Sequence, residues 1–115
     1  MPIAAHAVVV LIALLHVWFL VLEMFLWTKP AGRRAFGLTA EFAQQTRVLA
    51  ANQGLYNGFL AAGLLWGLCQ GHAVTLFFLG CVLVAGIFGG LTASREILWI
   101  QALPALVGLV LVALS

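Results

Sequence analysis

Glu23 and His16 stand seven residues apart, so on a helix the carboxylate and the imidazole share one face. Both lie in an apolar run, where ionisable groups are expensive and therefore candidates for function. For His16 the alternatives are a hydrogen bond to a backbone carbonyl, or a proton-relay or ligand role. A buried Glu23 needs a cationic or hydrogen-bonding partner, and Arg47 and Arg95 sit at compatible depth for an interhelical ion pair. The densest polar run is Arg47-Val-Leu-Ala-Ala-Asn52-Gln53-Gly-Leu-Tyr56-Asn57. In it Gln53 and Asn57 are helical neighbours, as are Asn52 and Tyr56. Such amides either bind helices together or form a polar wall that faces a ligand. Gln101 and Arg95 complete the candidate ligand-binding set of His16, Glu23, Arg47, Asn52, Gln53, Tyr56, Asn57, Arg95 and Gln101. No metal site is expected: Cys69 and Cys81 form no CxxC and no histidine pair has ligand spacing. Both cysteines read as small apolar fillers.

The elements that must position these residues follow from composition. The chain has 115 residues, 65% of them hydrophobic and 7% charged. A soluble domain carries about 25% charged residues, and so short a chain has too few charges to cover that much apolar surface. A water-soluble globule and a disordered chain are both excluded, and nothing in the charge points to nucleic acid. A hydrocarbon core needs roughly 20 apolar residues of helix. Four stretches qualify, residues 3–27, 48–69, 73–93 and 97–114, which predicts an all-α integral membrane four-helix bundle in one domain. The first run is too long for a signal-peptide core and lacks a basic leader, so it reads as a retained helix.

Lys29, Arg33, Arg34, Arg47 and Arg95 are all the lysines and arginines in the chain. All fall in the regions after the first and third spans. The positive-inside rule then puts both termini on the extracytoplasmic side and both basic regions in the cytoplasm. The expected location is a bacterial inner membrane, crossed several times. That charge bias alone accounts for the Lys29–Arg34 cluster, with binding of anionic lipid as the other reading. Thr28–Thr46 reads as a long loop, with Thr39 as an N-cap and Glu41 in the first turn. The second helix is expected to run on without a break through Ala40–Gln45.

Small residues at Ala50, Gly54, Gly58 and Ala62 form a stripe every four residues that admits a close helix neighbour, and Gly63/Gly67 and Gly86/Gly90 add further pairs. Pro104 frees a carbonyl near Ile100 and predicts a kink. Trp27, Trp66 and Trp99 suit membrane interfaces, and Trp18 suits packing.

The stretches LHVWFLVLEMFLW, RRAFGL, VLAANQGLYNGFLAAGL and FFLGCVLVAGIFGG resemble a family of small bacterial four-helix membrane proteins, the domain-of-unknown-function family 1304. The likeness covers nearly the whole chain, and it implies topology more than chemistry. A fainter resemblance is to the membrane-associated eicosanoid and glutathione (MAPEG) proteins, whose second helix has an Arg-x-x-Arg-Ala-His-x-Asn-x-x-Glu-Asn pattern. Arg47 and Ala51 fit it. Asn52 stands in place of the His, Asn57 in place of the Glu, and Ala50, Gly54 and Gly58 replace the second Arg and the two Asn. This resemblance implies a homo-oligomer, a trimer rather than a dimer, with sites between subunits. It also implies glutathione as cofactor, set against Arg47 and Arg95, with Arg95 and Tyr56 as the catalytic candidates that stabilise a thiolate. Two other classes stand beside it: a small proton-coupled transporter that uses Glu23, and a structural accessory subunit whose amides are packing glue.

Overall fold

The computed structural model describes residues 1–115 and is all-α. The order is α1 (Ile3–Met24), α2 (Pro30–Phe36), α3 (Ala40–Gln45), α4 (Arg47–Gln70), α5 (His72–Thr92), a π-helical stretch Leu98–Ala102, and α6 (Leu103–Ala113). Two helices, α1 and α5, are long and apolar enough to cross a membrane, and they suggest association with one. The apolar stretch Leu98–Ala113 is shorter. The α4 helix has 24 residues, which is enough length, but Arg47 and its amides dilute its apolar character.

The buried positions of α1 and α4 follow one rule. Along α1, Ala5, Val9, Ile12, His16 and Glu23 are buried, with Phe19 half-buried between the last two. Along α4 the buried positions are Ala50, Gly54, Asn57, Ala61, Gly63, Leu64 and Gly67. Within these sets the series from Ala5 to Glu23 and from Ala50 to Leu64 step by four and three in turn, a 3.5-residue spacing that keeps one face of each helix inward. Apart from His6 near its start, the remaining surface of α1 is also apolar, with Leu11, Leu14 and Trp18 exposed. A helix that is apolar on every side belongs in a core or in lipid.

The chain divides into two compact units. Residues 1–14 and 60–115 form the first. Its core joins Ala5, Val9, Ile12, Ala13, Leu64, Leu79, Val82, Ala105 and Val112. Both predicted glycine pairs make close approaches within it. Gly63 and Gly67 face Phe78 and Thr75, and Gly86 and Gly90 face Ala102 and Leu98. A methyl group at Gly86 would lie 2.7 Å from the Ala102 backbone nitrogen, so α5 and the last helix touch almost backbone to backbone. Just before Pro104 the Leu103 N–H bonds to the Leu98 carbonyl five residues back, which widens the turn there. The Gln101 amide donates to the Val82 carbonyl at 3.2 Å.

Residues 15–59 form the second unit, and here several expectations need correction. The first helix ends at Met24, not Trp27. The N–H groups of Phe25 and Leu26 both close on the Val21 carbonyl, and the chain turns. The Thr28–Thr46 segment is not one loop. Pro30 starts α2, because its fixed backbone angle and missing N–H suit a first helical turn. Gly37 ends it at φ 65°, a left-handed conformation that favours glycine. Gly32 lies against the Leu26 carbonyl so closely that a Cβ would overlap it. Thr39 does cap α3, accepting from the Phe42 N–H at 3.1 Å. The helix does not run on into α4, however. The break falls at Thr46, at φ −104° and ψ 9°, where the hydroxyl bonds back to the Phe42 carbonyl at 2.7 Å beside the Thr46 N–H at 3.0 Å. The same hydroxyl accepts from the Trp27 indole N–H at 3.0 Å. Trp18, expected in packing, is half exposed.

Candidate functional site

In the second unit, Asn57 sits on the heptad line of α4 and Glu23 on that of α1, and the Asn57 amide donates to Glu23 Oε1 at 2.5 Å. Both side chains are buried. The glycines on either side allow this contact. A Cβ at Gly54 would lie 2.6 Å from Met24 Cγ and 3.1 Å from Glu23 Cβ, and one at Gly58 would lie 2.7 Å from Leu20 Cδ1. The carboxyl group therefore takes a hydrogen-bonding partner, a neutral amide, and not Arg47 or Arg95, whose depth had made an ion pair the other expectation. A hydrogen bond to a charged or chargeable group in such surroundings is stronger than one between neutral groups.

His16 is fully buried, one heptad before Glu23. It meets Phe19 edge-on, with the ring centroids 5.3 Å apart. The helix thus places His16 and Glu23 on one face, as their spacing requires.

The other polar groups of α4 point elsewhere. Asn52, Gln53 and Tyr56 are exposed, and so is Arg47 at the start of the helix. The small-residue stripe is correspondingly narrower than expected. Ala50 and Gly54 are buried, but Ala62 is exposed and Ala61 is buried in its place. The 3.5-residue repeat explains the shift, because a strict four-residue stripe drifts around the helix. Tyr56 has Phe59 as a ring neighbour at 6.1 Å. Asn52, Gln53 and Tyr56 form an outward wall that can donate and accept hydrogen bonds, while Asn57 is engaged with Glu23.

Arg95 and Gln101 belong to the first unit. Arg95 is exposed in the turn between α5 and the π-helical stretch. Gln101 is committed to a backbone carbonyl. Cys69 and Cys81 are free thiols. Sequence reasoning did not pair Trp27 with Thr46: they are 19 residues apart, and the only signal was a hydroxyl residue at the foot of a long helix. The close seat of Gly32 against Leu26 was equally silent.

Comparison with known proteins covers most of the chain. The "Uncharacterized protein YpaA" of Lactococcus lactis subsp. lactis (strain IL1403) is 30% identical over 106 residues, which cover 87% of this chain and 88% of that one. No solved structure matches the chain. The family described as "Protein of unknown function (DUF1304)" matches residues 10–113, a range that takes in both buried heptad lines from Ile12 onward, the Glu23–Asn57 pair and the outward wall of α4. With that match over most of its length, the chain belongs to the DUF1304 family.

Proposed function

We propose that this is a four-span membrane protein, with both termini extracytoplasmic, that binds an amphiphilic or anionic small molecule on the outward polar wall of α4. One observation carries this reading. Asn52, Gln53 and Tyr56 are exposed on a helix whose neighbours Leu49, Leu55 and Phe59 are exposed and apolar. In hydrocarbon, such amides and the phenol need hydrogen-bonding partners. Glu23 and Asn57 satisfy each other, so the wall's capacity is available to a ligand. Arg47, exposed on the same helix, supplies a cation for a carboxylate or similar group. The apolar side chains between them suit the tail of an amphiphile. The charge distribution supports the orientation, because all five basic side chains fall in two regions on one side of the four spans. A homo-oligomer is the expected assembly, and whether the bound molecule is also transformed belongs to the same proposal.

The test is native mass spectrometry of the full chain released from nanodiscs. A retained small-molecule mass, lost in the Asn52→Leu/Gln53→Leu variant, is the expected result. The same occupancy in wild type and variant would overturn the wall as the binding surface.

A proton-coupled transporter is the second reading. It is favoured by Glu23, a buried carboxyl group whose hydrogen-bond partner is a neutral amide. It requires substrate-driven proton flux in liposomes that disappears in Glu23→Gln, and flux unchanged by that substitution would remove Glu23 from any such mechanism.

A further inference from the structure

The short helix α2 carries two adjacent arginines that the wall on α4 does not use. Its inner side is fixed by Gly32 on the Leu26 carbonyl and by Phe36 against Trp27, with ring centroids 4.9 Å apart. Beside its last turn lies a cleft of about 320 Å³ lined by Pro30, Arg33, Arg34, Gly37 and Leu38. Two of the five lining residues are guanidinium groups and none is acidic. The Arg33 carbonyl already accepts the N–H groups of Gly37 and Leu38, so the helix end does not need a side chain to satisfy it. Arg33 Nε, however, is shielded from solvent and has no acceptor within the chain. A guanidinium in that position gives up no internal bond when it turns its fork toward an anion.

We propose that this cleft is a phosphate site, and that its occupant is the net-negative phosphodiester of a lipid headgroup. The chemistry favours phosphate over carboxylate. Arg33 and Arg34 both line the cleft, and their long stems let two forks that start about 100° apart on the helix bend toward one anion. A tetrahedral phosphate can accept from both, whereas a planar carboxylate is matched by one fork. Pro30 and Leu38 give the cleft apolar walls, which suits a phosphate that carries a hydrocarbon tail. Two arginines are fewer than diffuse electrostatic binding to anionic membranes requires, so the pairing of both forks at one open cleft is what confers selectivity. The lipid form of the proposal rests on the membrane reading above. Free phosphate shares the same chemistry and is separated from lipid by experiment.

The experiment uses the full chain in nanodiscs of phosphatidylcholine doped with phosphatidylglycerol, with retained lipids counted by native mass spectrometry. Wild type retains phosphatidylglycerol in preference to phosphatidylcholine. Arg33→Gln/Arg34→Gln lowers that retention by about tenfold or more, the scale of lost hydrogen bonds to a charged group. Arg33→Lys/Arg34→Lys, which keeps the charge but loses the forks, also lowers it, while Lys29→Gln leaves it unchanged. In parallel, equilibrium dialysis of detergent-solubilised protein measures binding of radiolabelled orthophosphate. Arginine-dependent orthophosphate binding without lipid retention keeps the phosphate site and replaces the lipid by free phosphate. An equal loss in Lys29→Gln shows diffuse charge and overturns the site, as does the absence of arginine-dependent binding in both arms. A chain that does not enter nanodiscs fails the membrane reading and with it the lipid occupant, and the orthophosphate arm then decides the cleft.

Discussion

Asn57 on α4 and Glu23 on α1 are joined by a hydrogen bond although 34 residues separate them in the chain. The bond links two buried positions beside Gly54, Gly58, Leu20 and Met24. Removing the donor leaves a buried carboxyl oxygen unanswered. Asn57→Leu should therefore destabilise the protein by about 1–3 kcal/mol. Glu23→Gln keeps an acceptor for Asn57 and should cost less. Unfolding in graded denaturing detergent, run as a double-mutant cycle, reads the coupling directly. A cycle that closes with no coupling would mean that the pair contributes nothing.

Two helical glycines should respond in opposite senses to the same substitution. Gly54→Ala puts a methyl 2.6 Å from Met24 Cγ, 3.1 Å from Glu23 Cβ and 3.2 Å from the Leu20 carbonyl oxygen. The methionine can move, but the backbone oxygen cannot, and the cost should be about 1–3 kcal/mol. Gly80 has nothing within 4 Å of its would-be Cβ. Gly80→Ala should stabilise by up to about 1 kcal/mol through helix propensity alone. Melting temperatures of the two variants should lie on either side of wild type.

Thr46 ties the foot of α4 to Trp27. Thr46→Val keeps the shape but removes both the acceptor for the indole N–H and the bond to Phe42. A loss of about 1 kcal/mol is expected, together with altered emission from Trp27 in a variant whose other tryptophans are replaced by phenylalanine. Thr46→Ser should restore both. If valine and serine behave alike, the hydroxyl is not what holds the junction.

The proposed orientation is open to chemical labelling. In a background with Cys69 and Cys81 replaced by alanine, single cysteines at Lys29 and at Gln70 should react with a membrane-impermeant maleimide from opposite sides of the membrane. Reaction of both from one side would exclude four spans in that order.

Much of this fold was legible in the sequence because hydropathy is a long-range average. Runs of twenty apolar residues need no knowledge of contacts, and α1 and α5 stand within a few residues of the expected limits. The 28–46 segment was not legible in the same way. Its two short helices are set by a proline, a left-handed glycine and a threonine hydroxyl that bonds backwards, each acting over one turn. For the site, the seven-residue step from His16 to Glu23 correctly gave a shared face. The partner of Glu23 was ambiguous because depth along a helix does not determine rotation about its axis. Asn57 lies on the buried line of α4, whereas Asn52, Gln53 and Tyr56, a few residues away, face outward. Only the 3.5-residue repeat separates the two groups, and the four-residue glycine stripe partly conceals it.

The wide turn at Leu98–Ala102 also bears on how chain length can vary among relatives. A π-helical turn holds about one residue more than the α-helical turn it replaces. Deleting one residue there would return the segment to regular geometry while Ala105, Gly108 and Val112 stayed on the buried side of α6. Deletion of a single residue between Ile97 and Leu103 should therefore be tolerated where a deletion in α1 between His16 and Glu23 would rotate one away from the other. An alignment of such proteins would place its gap within this helical stretch rather than in a loop.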